Sequence, residues 1–126
     1  MSIDYNASFS WNENQNLYSN NTSKTSSWNH SLTSYFYPLK DHTIGFYWDL
    51  YHSKNSNTNF TNPFYDVSYQ YTWAKKKIDF ELKWMNIANT KLYQTITEDV
   101  SRASINTTSM KIRPSQVLFT IKFNFK

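Results

Sequence analysis

Apolar and polar residues alternate one for one along most of this chain. Ile3, Tyr5, Ala7, Phe9 and Trp11 take every second position, with Asp4, Asn6, Ser8 and Ser10 between them. The rhythm returns more weakly at Trp28, His30, Leu32, Ser34 and Phe36, and again at Ile44, Phe46, Trp48 and Leu50. It continues at Tyr65, Val67, Tyr69, Tyr71 and Trp73, then at Ile78, Phe80, Leu82 and Trp84. The last set is Val117, Phe119, Ile121, Phe123 and Phe125. A period of two is the strand signature, because successive side chains point to opposite faces. The pattern predicts an all-β chain: an antiparallel up-and-down meander of about six strands over residues 1–126. No segment carries a convincing helical period, and Leu92 to Ser104 is the only place where a short helix could sit.

Five connections follow. Asn12–Ser27 reads as long, Tyr37–His42 as short, Lys54–Pro63 as fairly long, Ala74–Lys77 as a tight turn and Met85–Ser115 as very long. Long and short connections would then lie on opposite ends of the sheet. Tilted strands with short turns on one rim and long loops on the other describe the wall of an outer-membrane barrel.

Composition sharpens this picture. Aromatic residues make up 19% of the chain, whereas Leu, Ile and Val together number 18 and Asn, Ser and Thr number 44. Cores of soluble domains are dominated by branched aliphatics. Tyr and Trp, with an apolar body and a polar tip, suit interfaces. The mean hydropathy of −0.72 looks soluble, but a strongly two-faced strand averages to such a value. The charged alternates Asp49, Asp66, Asp79, Glu81, Lys83 and Lys122 would face a wet lumen. Phe80, Leu82, Val117, Phe119, Ile121, Phe123 and Phe125 would face lipid. Trp11, Trp28 and Trp84 at the long-loop ends and Trp73 at the short-turn end would form aromatic belts at headgroup level. The expected fold is a partial transmembrane β-barrel wall. The competing reading is a soluble β-sandwich, a carbohydrate- or ligand-binding module that uses exposed Trp and Tyr.

Little chemistry stands out. There is no Cys, so disulfides and thiolate sites are excluded, and the single Gly excludes a Gly-rich phosphate loop. A net charge of +4 is too weak to argue for nucleic acid. His30, His42 and His52 are far apart with no metal-ligand spacing. Asp79 and Glu81 share a face, but Lys83 follows on the same face, which favours alternating lumen charges over a catalytic carboxylate pair. Lys75-Lys76-Lys77 reads as a solvated turn. No nucleophile–base pairing is visible, so no enzyme, cofactor or metal is expected.

Two C-terminal segments carry a resemblance. Trp84-Met85-Asn86-Ile87-Ala88-Asn89-Thr90-Lys91-Leu92-Tyr93 resembles the N-I-x-N-T-K-x-Y segment near the end of TonB-dependent receptors and related outer-membrane barrels of Bacteroidota. The stretch from Met110 to Phe125, with Arg113-Pro114 before the alternating apolar run, resembles the start of their closing strand. The match departs at Ser115, where a second basic residue is common, and at Lys126, which follows the usual terminal aromatic. The resemblance implies residence in the bacterial outer membrane, within a larger barrel that has a plug and takes part in nutrient uptake. It also implies partners: outer-membrane lipid, the remainder of the barrel, the barrel-insertion machinery and, through the full-length receptor, TonB and a surface lipoprotein. On that footing the chain looks like the C-terminal quarter of such a receptor. Six strands by themselves would not close, because eight is the smallest common barrel.

Overall fold

The computed structural model describes residues 1–16, 21–99 and 104–124. Eight strands form: β1 (Ser2–Asn16), β2 (Asn21–Phe36), β3 (His42–Lys54), β4 (Asn59–Trp73), β5 (Ile78–Met85), β6 (Leu92–Asp99), β7 (Ser104–Lys111) and β8 (Gln116–Phe123). Six of them make one antiparallel sheet in the order β1-β2-β3-β4-β5-β8, and β6 and β7 pair separately as a hairpin. The meander expected from the alternation is therefore present.

The connections differ from the expected pattern. The stretch Asn12–Ser27 is mostly strand, because β1 and β2 stay paired out to Asn16 and Asn21. Likewise β3 and β4 stay paired to Lys54 and Asn59, which leaves only Asn55–Thr58 as a turn. That turn is closed by Asn55, whose Oδ1 accepts from the backbone N–H groups of Asn57 (2.9 Å) and Thr58 (2.7 Å). Strict alternation of loop length thus does not hold. The asymmetry lies in the strands, which run on beyond their last apolar residue at one end. These extensions are Asn-, Ser- and Thr-rich on both faces and so lack the alternation that marks a strand; cross-strand backbone pairing holds them.

The segment Met85–Ser115 also departs from the expectation of a loop with at most a short helix. Leu92–Asp99 is strand, paired to Ser104–Lys111. Thr95-Ile96-Thr97 is a β-branched run, which favours extended backbone over helix.

The sheet is staggered. One hydrogen-bonded row begins at Ile3 and passes through Ser34, Phe46, Val67 and Trp84 to Val117. At the short-turn end, β2 runs two residues past this row, to Phe36, while β5 runs six past it, to Ile78. A four-residue offset at ~3.3 Å per residue is ~13 Å, spread over three spacings of ~4.8 Å, which slants the sheet's rim by about 40°. The short-turn ends are shaped by residues at positive φ: Asp41 (66°) after Leu39-Lys40, and Lys77 (54°) after the 3-10 turn Ala74–Lys76.

Burial is inverted relative to a water-soluble domain. Among the described residues, Ile96 is the one buried hydrophobic residue, and no large side chain is fully buried. The other buried side chains are polar: Asn55, Asn62, Ser68 and Asn86.

Candidate functional site

The register sorts the sheet into two faces. One carries Ile3, Tyr5, Ala7, Phe9 and Trp11 of β1, and pairing extends it across all six strands. One row runs Phe36–Ile44–Tyr69–Leu82–Phe119; another runs His42–Tyr71–Phe80–Ile121. All five Trp of the chain, at 11, 28, 48, 73 and 84, lie on this face. Phe9, Trp11, Val117, Phe119 and Phe123 each keep more than half of their surface exposed. Leu82, Ile121, Trp28, Trp73 and Trp84 are also exposed. Phe80 is half-buried, with its ring stacked 6.3 Å from Tyr71 and 6.4 Å from Phe119. Phe125 lies outside the described residues.

Among the described strand residues, charges on this face occur only beyond the long-loop end of the aromatic zone. They are Glu13 and Lys24, paired at 3.2 Å, and Lys54. The three histidines lie here too, and each is satisfied by a cross-strand hydroxyl. His30 Nδ1 is 2.8 Å from Tyr5 Oη, His42 Nδ1 is 2.7 Å from Tyr69 Oη and His52 Nδ1 is 2.9 Å from Thr61 Oγ1. The rings also stack, His30 lying parallel to Trp48 within 7°. Their role is to fill an apolar surface with a satisfied polar edge. No group of three potential metal ligands forms among the described residues.

The opposite face is polar. Lys83 lies 3.7 Å from Asp66 and sits 5.2 Å over the Tyr47 ring; Lys122 lies 3.9 Å from Glu81. Asp79 accepts from Asn124 Nδ2 at 3.0 Å. Asp79 and Glu81 therefore belong to a charge ladder and do not converge on one point. The single glycine, Gly45, lies on this face opposite Tyr35 and Ser68. A Cβ there would come within 2.6 Å of Ser68 Oγ and 3.2 Å of Tyr47, whose ring leans along the strand to cover the glycine. Tyr47 Oη also meets Tyr35 Oη at 3.0 Å. An aromatic laid over a strand glycine fills the gap left by the missing side chain.

The β6–β7 hairpin folds back over this polar face. Two asparagines hold it. Asn62, on β4, donates from Nδ2 to the Gln94 carbonyl at 3.1 Å and accepts from the Gln94 N–H at 3.2 Å, so its amide acts as a short piece of strand edge. Asn86 sits at the exit from β5 with φ of 52°. Its N–H donates to Asp66 Oδ1 at 2.8 Å, its Nδ2 donates to the carbonyls of Thr90 (2.9 Å) and Arg113 (2.8 Å), and its Oδ1 accepts from the Thr90 N–H at 2.9 Å. Asn89, also at φ 52°, accepts from the Ser115 N–H, and Thr90 Oγ1 donates to the Pro63 carbonyl. Asn tolerates the left-handed region and can bond its own neighbourhood, which suits it to such a double bend. Tyr93 completes the anchor, its ring 5.8 Å from Tyr51 and 6.4 Å from Phe64.

The alternation located the two faces, but it missed Gly45, Asn62 and the hairpin. A lone glycine inside an alternating run is a recognisable signal of close approach. Asn62 carries no such signal in an Asn-rich chain. Asn86, Asn89 and Thr90 belong to the Trp84–Tyr93 stretch singled out in the sequence, and their place in the fold is this bend. Comparison with family models, curated proteins and solved structures gives no match.

Proposed function

We propose that this chain is a wall segment of an outer-membrane β-barrel of the TonB-dependent receptor type. Its aromatic face would lie against lipid and its polar face towards the lumen, within a larger barrel that takes up nutrients. The single observation that carries the reading is the exposed, charge-free aromatic face that runs unbroken through six strands. In water such a surface would far exceed the few hundred Å² that soluble monomers leave exposed. In a bilayer it needs no second protein layer.

Two measures support the match. From Ile3 to Trp11 the band spans eight residue rises, ~27 Å along the strand, or ~20 Å of height at a tilt of ~40°, close to the ~25 Å apolar band of such barrels. The ~40° slant of the short-turn rim between β2 and β5 is close to the strand tilt typical of such barrels. A soluble sandwich needs a second sheet over the aromatic side, and the one extra element among the described residues lies on the other side.

The test uses the native tryptophans. All five of this chain lie on the aromatic face, so the share of the full-length protein's emission that disappears when these five are replaced by Phe should be strongly quenched in vesicles of brominated lipid relative to ordinary lipid. Emission that ignores bromination, with an aqueous quencher excluded as well, would mean that protein covers this face.

A further inference from the structure

We propose that the β6–β7 hairpin is a resident constriction of the polar face, and that the cleft it leaves against the sheet recognises small, neutral, hydrogen-bonding solutes. The inference rests on the barrel reading only in treating the polar face as a passage; the cleft itself is defined by local geometry.

The hairpin is held inward by anchors of several kinds. Asn62 clamps the Gln94 backbone through both amide atoms, the Tyr93 ring is wedged between Tyr51 and Phe64, and Thr90 reaches Pro63. Asn62 is among the most buried residues described, at 4% exposure, which marks this as a built contact and not a loop resting on a surface. Between the hairpin and strands β2–β4 there remains a cleft of about 240 Å³. At ~30 Å³ per water molecule, that is room for about eight waters.

The chemistry of the lining selects a class of occupant. Asn29, Asn62 and Gln94 offer carboxamides, Ser53 a hydroxyl, and Tyr51 and Tyr93 ring faces with phenol tips. Among the described residues, no Asp, Glu, Lys or Arg lines the cleft. An ion that entered would shed water with no opposite charge to meet it, which is costly. A hydroxyl- or amide-bearing solute exchanges its water hydrogen bonds for protein ones at little net cost. The ion pairs of this face, Asp66–Lys83 and Glu81–Lys122, lie outside the cleft, and Asp49 stands beyond its edge, two residues from Tyr51 on the same face of β3.

This chain contains no cysteine, and with any cysteine in the rest of the full-length protein replaced by serine a single introduced thiol reports cleanly. Ser53→Cys places it in the cleft; Thr120→Cys, on an exposed part of the same face, is the reference. The probes are three methanethiosulfonates of similar size (neutral hydroxyethyl, cationic aminoethyl and anionic sulfonatoethyl) and a polyethylene-glycol maleimide many times larger than the cleft. After normalisation to Thr120→Cys, the neutral reagent should modify Ser53→Cys at least about tenfold faster than either charged one, and the large maleimide should not react. Adding Asn62→Ala with Tyr93→Ala should unlatch the hairpin and abolish both differences. Equal normalised rates for the three small reagents, or full reaction with the large maleimide before unlatching, would overturn the proposal. Unchanged discrimination after unlatching would overturn the role of the hairpin. Brominated-lipid quenching in the same samples confirms that the variants fold. It also separates the two claims: lost quenching with intact thiol discrimination sinks the barrel reading alone, and the converse sinks the cleft alone.

Discussion

Ile121 and Lys122 are neighbours in sequence on opposite faces of β8, which makes them a sensitive test of what covers each face. Ile121 stands cross-strand from Phe80, between Phe119 and Phe123, midway along the apolar stretch of the strand. If hydrocarbon covers it, Ile121→Arg puts a charge near the bilayer midplane at a cost of about 2–4 kcal/mol. At ~1.4 kcal/mol per factor of ten, the folded population falls by roughly 30- to 700-fold relative to the unfolded. Lys122 is 64% exposed, and its pairing with Glu81 at 3.9 Å is long. Lys122→Ala therefore costs at most about 1 kcal/mol, and less once solvent screening is counted. The assay is urea unfolding of the full-length protein in vesicles, followed by tryptophan emission and by the heat-modifiable band on gels.

A depth series makes the argument specific to lipid. Phe123 lies nearer the rim, where the cost of Arg falls to about 0–1 kcal/mol. Yet Phe123 and Ile121 are comparably exposed, at 57% and 44%. A hydrocarbon slab therefore predicts Ile121→Arg much worse than Phe123→Arg. A water-covered face predicts both within about ±0.5 kcal/mol of wild type. Equal costs at Ile121 and Phe123, or equal costs at Ile121 and Lys122, would refute the assignment of faces.

Three further outcomes are expected. Gly45→Ala should lower stability by about 1–3 kcal/mol through overpacking against Ser68 and Tyr47, and Ser68→Gly in the same chain should recover part of it in a double-mutant cycle. Asn86→Ala should cost about 1–3 kcal/mol from unsatisfied partners plus ~1 kcal/mol of left-handed strain, whereas Asn86→Gly loses the same side-chain bonds without the strain; equal losses for the two would show that the side-chain bonds, not φ, dominate. This chain expressed alone should give no heat-modifiable band in detergent, because β1 and β8 are open edges of the sheet and unpaired backbone groups cost several kcal/mol each in lipid; a stable folded band would contradict this.

The sequence revealed strand, face and order where one face is apolar, because a period of two is visible only against a contrast. The apolar sides of the strands through Phe9, Leu32, Phe46, Tyr69, Leu82 and Phe119 could be read in advance for that reason. Past Trp11 and before Trp28 both faces are polar, so the paired strand that continues to Asn16 and Asn21 looked like loop. The hairpin was hidden for a different reason. β6 and β7 owe their place to long-range contacts from Asn62, Pro63 and Tyr51, and a single-sequence pattern holds no record of which asparagine will clamp which backbone. The N-I-x-N-T-K segment was conspicuous as a string of letters, but its physical content, two left-handed asparagines and a saturated carboxamide, is three-dimensional.

These features belong together once the solvent is assigned face by face. In a water-soluble domain, apolar side chains go inside and polar ones outside, and burial of carbon drives folding. Here the buried side chains are mostly asparagine and serine, and the exposed ones are phenylalanine and tryptophan. A chain built that way in water would lose its main driving force. With hydrocarbon on one side the apolar face is neutral between folded and inserted states, and specificity must come from groups whose satisfaction cannot be left to chance. The three buried asparagines each make two or more side-chain hydrogen bonds, and His30, His42 and His52 all find cross-strand hydroxyls, whereas Trp48 Nε1 on the aromatic face has no partner. In such a surrounding an unmet polar group costs several kcal/mol, whereas a missing methyl group costs little.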